Sequence, residues 1–237
     1  FINDGTSYMA MLYFFDVYGF FGHVPLWYNG FILFKSYAPG WIFYAYPFYK
    51  ITGNILFSTY LSTLFLYALG FFAVFLIGHI LHLSRIKIVA LFLLIFGNAM
   101  LIGSVLKQGR YPELLALVLF LFILALLLKY KDSSFTWPVI FIVPLITFLI
   151  LTHQAETLLL GFPLLGLFLV KSLREKFILA ILFLISLALS SFWLFPFFKG
   201  AQELGTLELG FGKWITYFYG GFLASNILLI VLPLALF

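Results

Sequence analysis

Residues 55–82 read ILFSTYLSTLFLYALGFFAVFLIGHILH, with no Asp, Glu, Lys or Arg in the run. An uncharged apolar stretch longer than ~18 residues is a candidate membrane helix. At ~1.5 Å per residue this one would be about 42 Å long, against a hydrocarbon core of about 30 Å. That is too long for one upright crossing and short for two full ones. Gly70 and Gly78 are its only interruptions, so the spacing favours a pair of short helices breaking near Gly70. A single tilted helix is the alternative.

The rest of the chain has the same character. Of its 237 residues 65% are hydrophobic and 9% charged, and the mean hydropathy is +1.17. Soluble domains carry about 25% charged residues, so the composition predicts an all-α polytopic membrane protein. Cysteine is absent, which removes disulfides, thiolate metal sites and thiol nucleophiles. The net charge is +5, but the 13 Lys and Arg are scattered, and no basic patch points to nucleic acid. The chain opens at Phe1 in loop-like sequence and ends at Phe237 inside an apolar run, as expected of a piece of a longer protein.

Working outward, residues 1–39 read as an external loop. Within it 7–22 form an aromatic helix lying along the interface, where Tyr and Trp rings keep a wet edge. Pro25, Gly30, Pro39 and Gly40 mark turns. Residues 40–198 read as the helical bundle, with spans at 40–50, 55–82, 88–106, 113–129, 137–152, 157–170 and 177–198. Residues 199–221 form a second external loop, and 222–237 begin another span. The total is about eight to nine membrane helices, several shorter than the ~20 residues of a perpendicular crossing.

Charge divides the turns into two sets. Those near 85, 130 and 173 carry seven positives (Arg85, Lys87, Lys129, Lys131, Lys171, Arg174, Lys176) against Asp132 and Glu175. The others carry Lys35, Lys107, Arg110, Lys199 and Lys213 against Asp4, Asp16, Glu113, Glu156, Glu203 and Glu208. The positive-inside rule assigns the first set to the cytoplasm. Six of the eight acids, with His23 and His153, then face outward. His79 and His82 fall near the inner surface. The parity has one conflict: if 40–50 crosses inward, 55–82 must start and end inside, which the short pair satisfies.

Each candidate site residue has a plain and a functional interpretation. Asp4 sits in Asn3-Asp4-Gly5, an ordinary turn sequence, yet an acid in an aromatic loop at the membrane surface can serve as a general base or bind a hydroxyl. Asp16 reads as a solvated residue on the polar face of the interfacial helix. Arg110 and Glu113, three apart across a helix start, fit an end-capping pair; with Lys107, Arg110 equally fits a phosphate. His153 and Glu156, also three apart, fit a structural hydrogen bond or a functional pair at a span's end. No zinc-ligand spacing, phosphate-binding Gly loop or nucleophile elbow appears, and no string of embedded charge marks an ion pump.

An acid in an early loop, an aromatic helix, Gly22-His23-Val24-Pro25-Leu26-Trp27, Gly30 and Tyr37-Ala38-Pro39-Gly40 resemble the first external loop of GT-C fold membrane glycosyltransferases. The stretches Gly109-Arg110-Tyr111-Pro112-Glu113, Leu151-Thr152-His153-Gln154 and Ser190-Ser191-Phe192-Trp193-Leu194-Phe195-Pro196 look like later landmarks of one branch, the prokaryotic membrane proteins labelled pyruvoyl-tetrahydropterin synthase-related. The resemblance implies a GT-C-like fold in the plasma membrane. It also implies transfer of a sugar from a polyprenyl or dolichyl phosphate donor to an acceptor at the outer face. Asp4 matches the catalytic acid, as base or as ligand of a divalent cation. Lys107, Arg110 and Glu113 match the later external turn, and His153, with Glu156, the end of a following span; these are the implied substrate-binding residues. Many members carry a second acid beside the first, where this chain has Asn3 and Gly5. That departure favours the second functional class, a non-catalytic membrane subunit packed among other subunits. A third is a lipid or glycolipid carrier, which needs no base.

Overall fold

The computed structural model describes residues 4–27 and 30–203. Its elements in order are α1 (Asp4–Tyr18), β1 (His23–Val24), β2 (Phe31–Ile32), α2 (Gly40–Thr52), α3 (Ile55–Ile80), α4 (Arg85–Phe96), α5 (Ala99–Gln108), α6 (Tyr111–Lys131), α7 (Ile142–Ile150), α8 (Gln154–Leu159), α9 (Gly161–Val170) and α10 (Leu173–Glu203). Short 3-10 turns precede α2 (Leu33–Lys35) and α7 (Trp137–Phe141). The fold is helical throughout apart from β1 and β2, which pair antiparallel. The expected loop 199–221 and last span 222–237 lie almost wholly outside the described residues.

Among the described residues three helices are long and apolar enough to cross a membrane: α3, α6 and α10 up to Lys199. A fourth candidate is the pair α4 and α5, bent by 45°. That is fewer than the eight to nine expected. Part of the shortfall is a matter of length, because 137–150 and 154–170 form apolar helices of fewer than eighteen residues, and the expected span 222–237 lies outside the described residues.

Two of the expected spans are corrected outright. The run 55–82 is one continuous helix, α3, not a broken pair. Gly70 does not break it. A Cβ there would overlap the ring of Phe96, and one at Gly78 would overlap Ile88. The two glycines let α4 lie close against α3, the common use of small residues between membrane helices. Segment 40–50 is not an independent span either. Its helix α2 packs against α1, α6 and α7 and against the first half of α3: Tyr44 donates to the carbonyl of Ser62 at 2.9 Å, and Phe48 packs on Phe65 with ring centroids 5.8 Å apart. Gly53, at φ 66°, ends α2, and the Asn54 side chain caps α3 by accepting from Phe57 N at 3.0 Å.

The helix expected at 7–22 is found as α1, starting three residues earlier and ending at Tyr18. Asp16 is not simply solvated. It pairs with Lys50 and accepts from the Tyr46 hydroxyl at 2.7 Å, which fastens α1 to α2. His23 is exposed, and its ring lies against Gly30.

α6 is the centre of the bundle. It packs against α2, α3, α5, α7, α8 and α9, and residues on all sides of it are buried. The bundle has two distinguishable ends. At one, Trp41 stacks on Tyr111 at 5.3 Å, Gly40 N donates to Leu151 O at 2.6 Å, and Trp193 Nε1 donates to Tyr37 O at 3.1 Å. This joins the α1–α2 layer to the start of α6, the end of α7 and the far part of α10. At the other end, Lys171 Nζ donates to Ser133 O at 2.6 Å, and Phe135 N donates to Glu175 at 3.0 Å. α3 runs parallel to α6, with Tyr60 near Tyr111 and Phe72 against Phe122, so the turn after α3 belongs to this second end. The grouping of turns near 85, 130 and 173 by charge is thus also a grouping in space.

The buried hydroxyls of α3 and α10 are satisfied locally. Ser58, Thr59, Ser62 and Thr63 all donate to carbonyls three or four residues back along α3. Ser186 donates to Leu182 O at 2.9 Å and to Val143 O at 3.3 Å, linking α10 to α7. Hydroxyls that bond within their own helix carry little desolvation cost in an apolar setting.

Candidate functional site

The site candidates gather at the end of the bundle that carries α1 and α2. Asp4 opens α1, and Ser7, Tyr8 and Met11 follow on one face at helical spacing. With Leu26, Trp27 and Tyr37 they line a cavity of about 400 Å³. The β1–β2 hairpin brings Leu26 and Trp27 to it. Trp27 and Tyr37 stand edge to face, centroids 6.2 Å apart and planes at 80°.

Beside the cavity lies a second group. Gly109, at φ 69°, ends α5, and its neighbour Arg110 N donates back to Ser104 O, so the chain reverses tightly into α6. Pro112 sits in the first turn of α6, as its missing N–H allows. Arg110 Nη1 reaches Glu113 Oε1 at 3.2 Å. His153, at the start of α8, pairs through Nδ1 with Glu156. Glu113 and His153 act on one another electrostatically, and Arg110 and Glu156 act on both. These four side chains therefore form one cluster. Burial works against the charged form of His153, but its hydrogen bond to Glu156 and the charges of Glu156 and Glu113 outweigh that, and its pKa is raised.

Tyr8 links the two groups. It packs edge-on to Tyr111 at 6.5 Å and tilted against Trp41 at 5.7 Å. Burial pushes its pKa up to about 12, with Asp4 and Glu113 adding to the effect and Arg110 opposing it. Its phenol is a neutral hydrogen-bonding group at any physiological pH. Of the residues read from the sequence, Asp4, Arg110, Glu113, His153 and Glu156 are brought to one region. Lys107 is exposed on the last turn of α5. Tyr8, Trp27 and Tyr37 were missed, because in a chain with 14 Tyr and 5 Trp a single ring carries no signal. The four-residue step from Asp4 to Tyr8 could have indicated a shared face.

Among the described residues no three His, Asp or Glu side chains are grouped to hold a metal ion. Asp4 is the one carboxylate among the cavity's described lining residues, which does not make a divalent-cation site. A second hollow of about 560 Å³ lies between α6, α7 and α10. It is lined by Leu119, Pro144, Leu145, Thr147, Phe148 and Leu189, almost wholly apolar.

Comparison with protein-family models, with curated proteins and with solved structures gives no match for this chain.

Proposed function

We propose that this chain is a membrane glycosyltransferase of the GT-C kind, working at the outer face of the plasma membrane on a sugar carried by a polyprenyl phosphate. The observation that supports it is the pairing at one end of the bundle. An aromatic-walled cavity with a single acid among its described lining residues lies beside a half-buried cluster containing Arg110, and Tyr8 lines the first and feels the charges of the second. An isolated carboxylate suits the hydroxyl of an acceptor, and a guanidinium suits a phosphate.

In this mechanism Asp4 takes the proton of an acceptor hydroxyl as its oxygen bonds to the anomeric carbon of the donor sugar. The bond from that carbon to the phosphate oxygen breaks, and the lipid phosphate leaves with the electron pair. Arg110 faces the phosphate, held in place by Glu113, and Lys107 lies one turn away in sequence. The prenyl chain occupies the apolar hollow between α6, α7 and α10. Positioning and charge stabilisation supply most of the rate.

The topology follows from the charge asymmetry of the two ends, with the end bearing Arg85, Lys131 and Arg174 cytoplasmic. The short helices 137–150 and 154–170 cross as well, in a locally thinned bilayer. A second reading, a non-catalytic subunit, is favoured by one observation: Asp4 has no second carboxylate beside it among the described residues of the cavity. The two are separated by transfer of labelled sugar from polyprenyl phosphate donors, in membranes carrying the full-length protein or its Asp4→Asn variant at matched expression. Transfer that falls at least a hundredfold in the variant supports the enzyme. Transfer unchanged by the variant removes Asp4 from the reaction, and no transfer from any donor supports the subunit.

A further inference from the structure

We propose that the cavity formed by Tyr8, Trp27, Tyr37 and Asp4 is a receptor for an alkylammonium group. Three aromatic rings from three separate segments of chain meet there: α1, the hairpin loop and the segment before α2. Trp27 and Tyr37, at 80° to one another, make adjacent walls rather than a stack. Phe14 backs Trp27 at 5.8 Å and 74°, fixing its plane. Ring faces carry negative potential, and a cation within about 6 Å of a ring centroid is attracted by it. Asp4 is the one formal charge among the described lining residues, and it is negative. A cavity of about 400 Å³ holds a trimethylammonium group with room for the chain that bears it.

The charge makes the difference from a plain sugar site. A sugar needs several directional partners for its hydroxyls, and this lining offers Asp4, Ser7 and two phenols against three ring walls. An ammonium needs ring faces and one counter-charge, which is what the lining has. Where sugar transfer also holds, the acceptor is an amino alcohol, its ammonium against the rings and its hydroxyl at Asp4. Ammonium binding itself does not depend on transfer and is measured without a donor.

The test is calorimetric titration of the full-length protein, in nanodiscs of phosphatidylglycerol, with tetramethylammonium and with choline. The neutral choline isostere 3,3-dimethylbutanol is the control. The cations are expected to bind at least about tenfold more tightly than the isostere, the factor that about 1.4 kcal/mol represents. Trp27→Leu is expected to weaken the cations about fivefold or more and Trp27→Phe to restore part of the loss, each at unchanged melting temperature. Equal binding of cation and isostere overturns the proposal, and so does no binding of either. The wild-type comparison needs no variant to fold. Repeating the titration in phosphatidylcholine discs identifies the source of the ligand. Weaker apparent binding of tetramethylammonium there marks a competing lipid headgroup, and unchanged binding marks a soluble amine.

Discussion

Two fully buried tryptophans make contrasting use of the same side chain. Trp193 donates its indole N–H to Tyr37 O at 3.1 Å, tying α10 to the segment that walls the cavity. Trp41 is equally buried and stacks on Tyr111, but its N–H has no hydrogen-bond partner. Replacing either with Phe removes similar apolar area. Only at position 193 does the change also remove a hydrogen bond, worth about 0.5–1.5 kcal/mol. At position 41 it removes a donor that was already unsatisfied. Trp193→Phe is therefore expected to lower the melting temperature of the nanodisc-embedded protein by several degrees more than Trp41→Phe. Equal losses, or the reverse order, would contradict these hydrogen-bond assignments. Nothing in the sequence distinguishes the two residues. Both sit in aromatic runs beside a Pro or Gly, and the difference comes from what each meets 70 or more positions away.

At the scale of elements, α1 and α2 are held together by Asp16, Lys50 and Tyr46. The hydrogen bond from Lys50, and then that from Tyr46, hold the Asp16 carboxyl below the usual carboxylate range, and the same Asp16 bond holds Lys50 above the usual lysine range. A depressed carboxyl stabilises the fold above its unfolded pKa of about 3.9 and loses that contribution as pH falls through the lower folded value. A raised lysine contributes below its unfolded pKa of about 10.4 and loses it as pH rises further. Between about pH 5 and pH 9 neither group titrates. The melting-temperature gap between wild type and Asp16→Asn is expected to be flat over that window and to close below about pH 4. A gap unchanged down to pH 2.5 would mean that the ion pair does not hold α1. The sequence made both residues visible and hid their pairing, because a contact across 34 positions depends on how α1 docks along α2. Other elements were easier to read. The α6 run was plain from its apolar composition, and Pro112, Gly53, Asn54 and Gly109 sit at helix ends for reasons of known backbone chemistry. Gly70 was misread because glycine's freedom suggests a break, when its use here is its missing side chain against Phe96. Segment 40–50 was misread because apolar composition does not separate a short helix resting on α3 from a span.

For the whole molecule, the shape of α2 removes the parity conflict in the charge pattern. With α2 laid against the first half of α3, and α3 running unbroken, the turns at 52–54, 108–110 and 151–153 share one end of the bundle. Those at 81–84, 132–136 and 171–172 share the other. Lys50 joins the first end through Asp16, and the seven positives of the second end remain together. A membrane orients such a bundle with its positive end inward. Residues 1–237 hold no cysteine, so thiols placed in them one at a time report sidedness against the labelling of the unsubstituted protein. Thr52→Cys and Gln108→Cys are expected to react with a membrane-impermeant maleimide in intact cells. Ser84→Cys and Ser172→Cys are expected to react only after the membrane is opened. Labelling of all four, or of Ser84→Cys alone with Thr52→Cys protected, would refute or invert the orientation. The outcome that bears most on function is Gln108→Cys, one residue before the turn that carries Arg110. If that thiol is reached from outside, the Arg110 cluster and the Asp4 cavity open to the face where a lipid-linked sugar would be consumed. If it is reached only from inside, a donor on the cytoplasmic leaflet becomes the one to test.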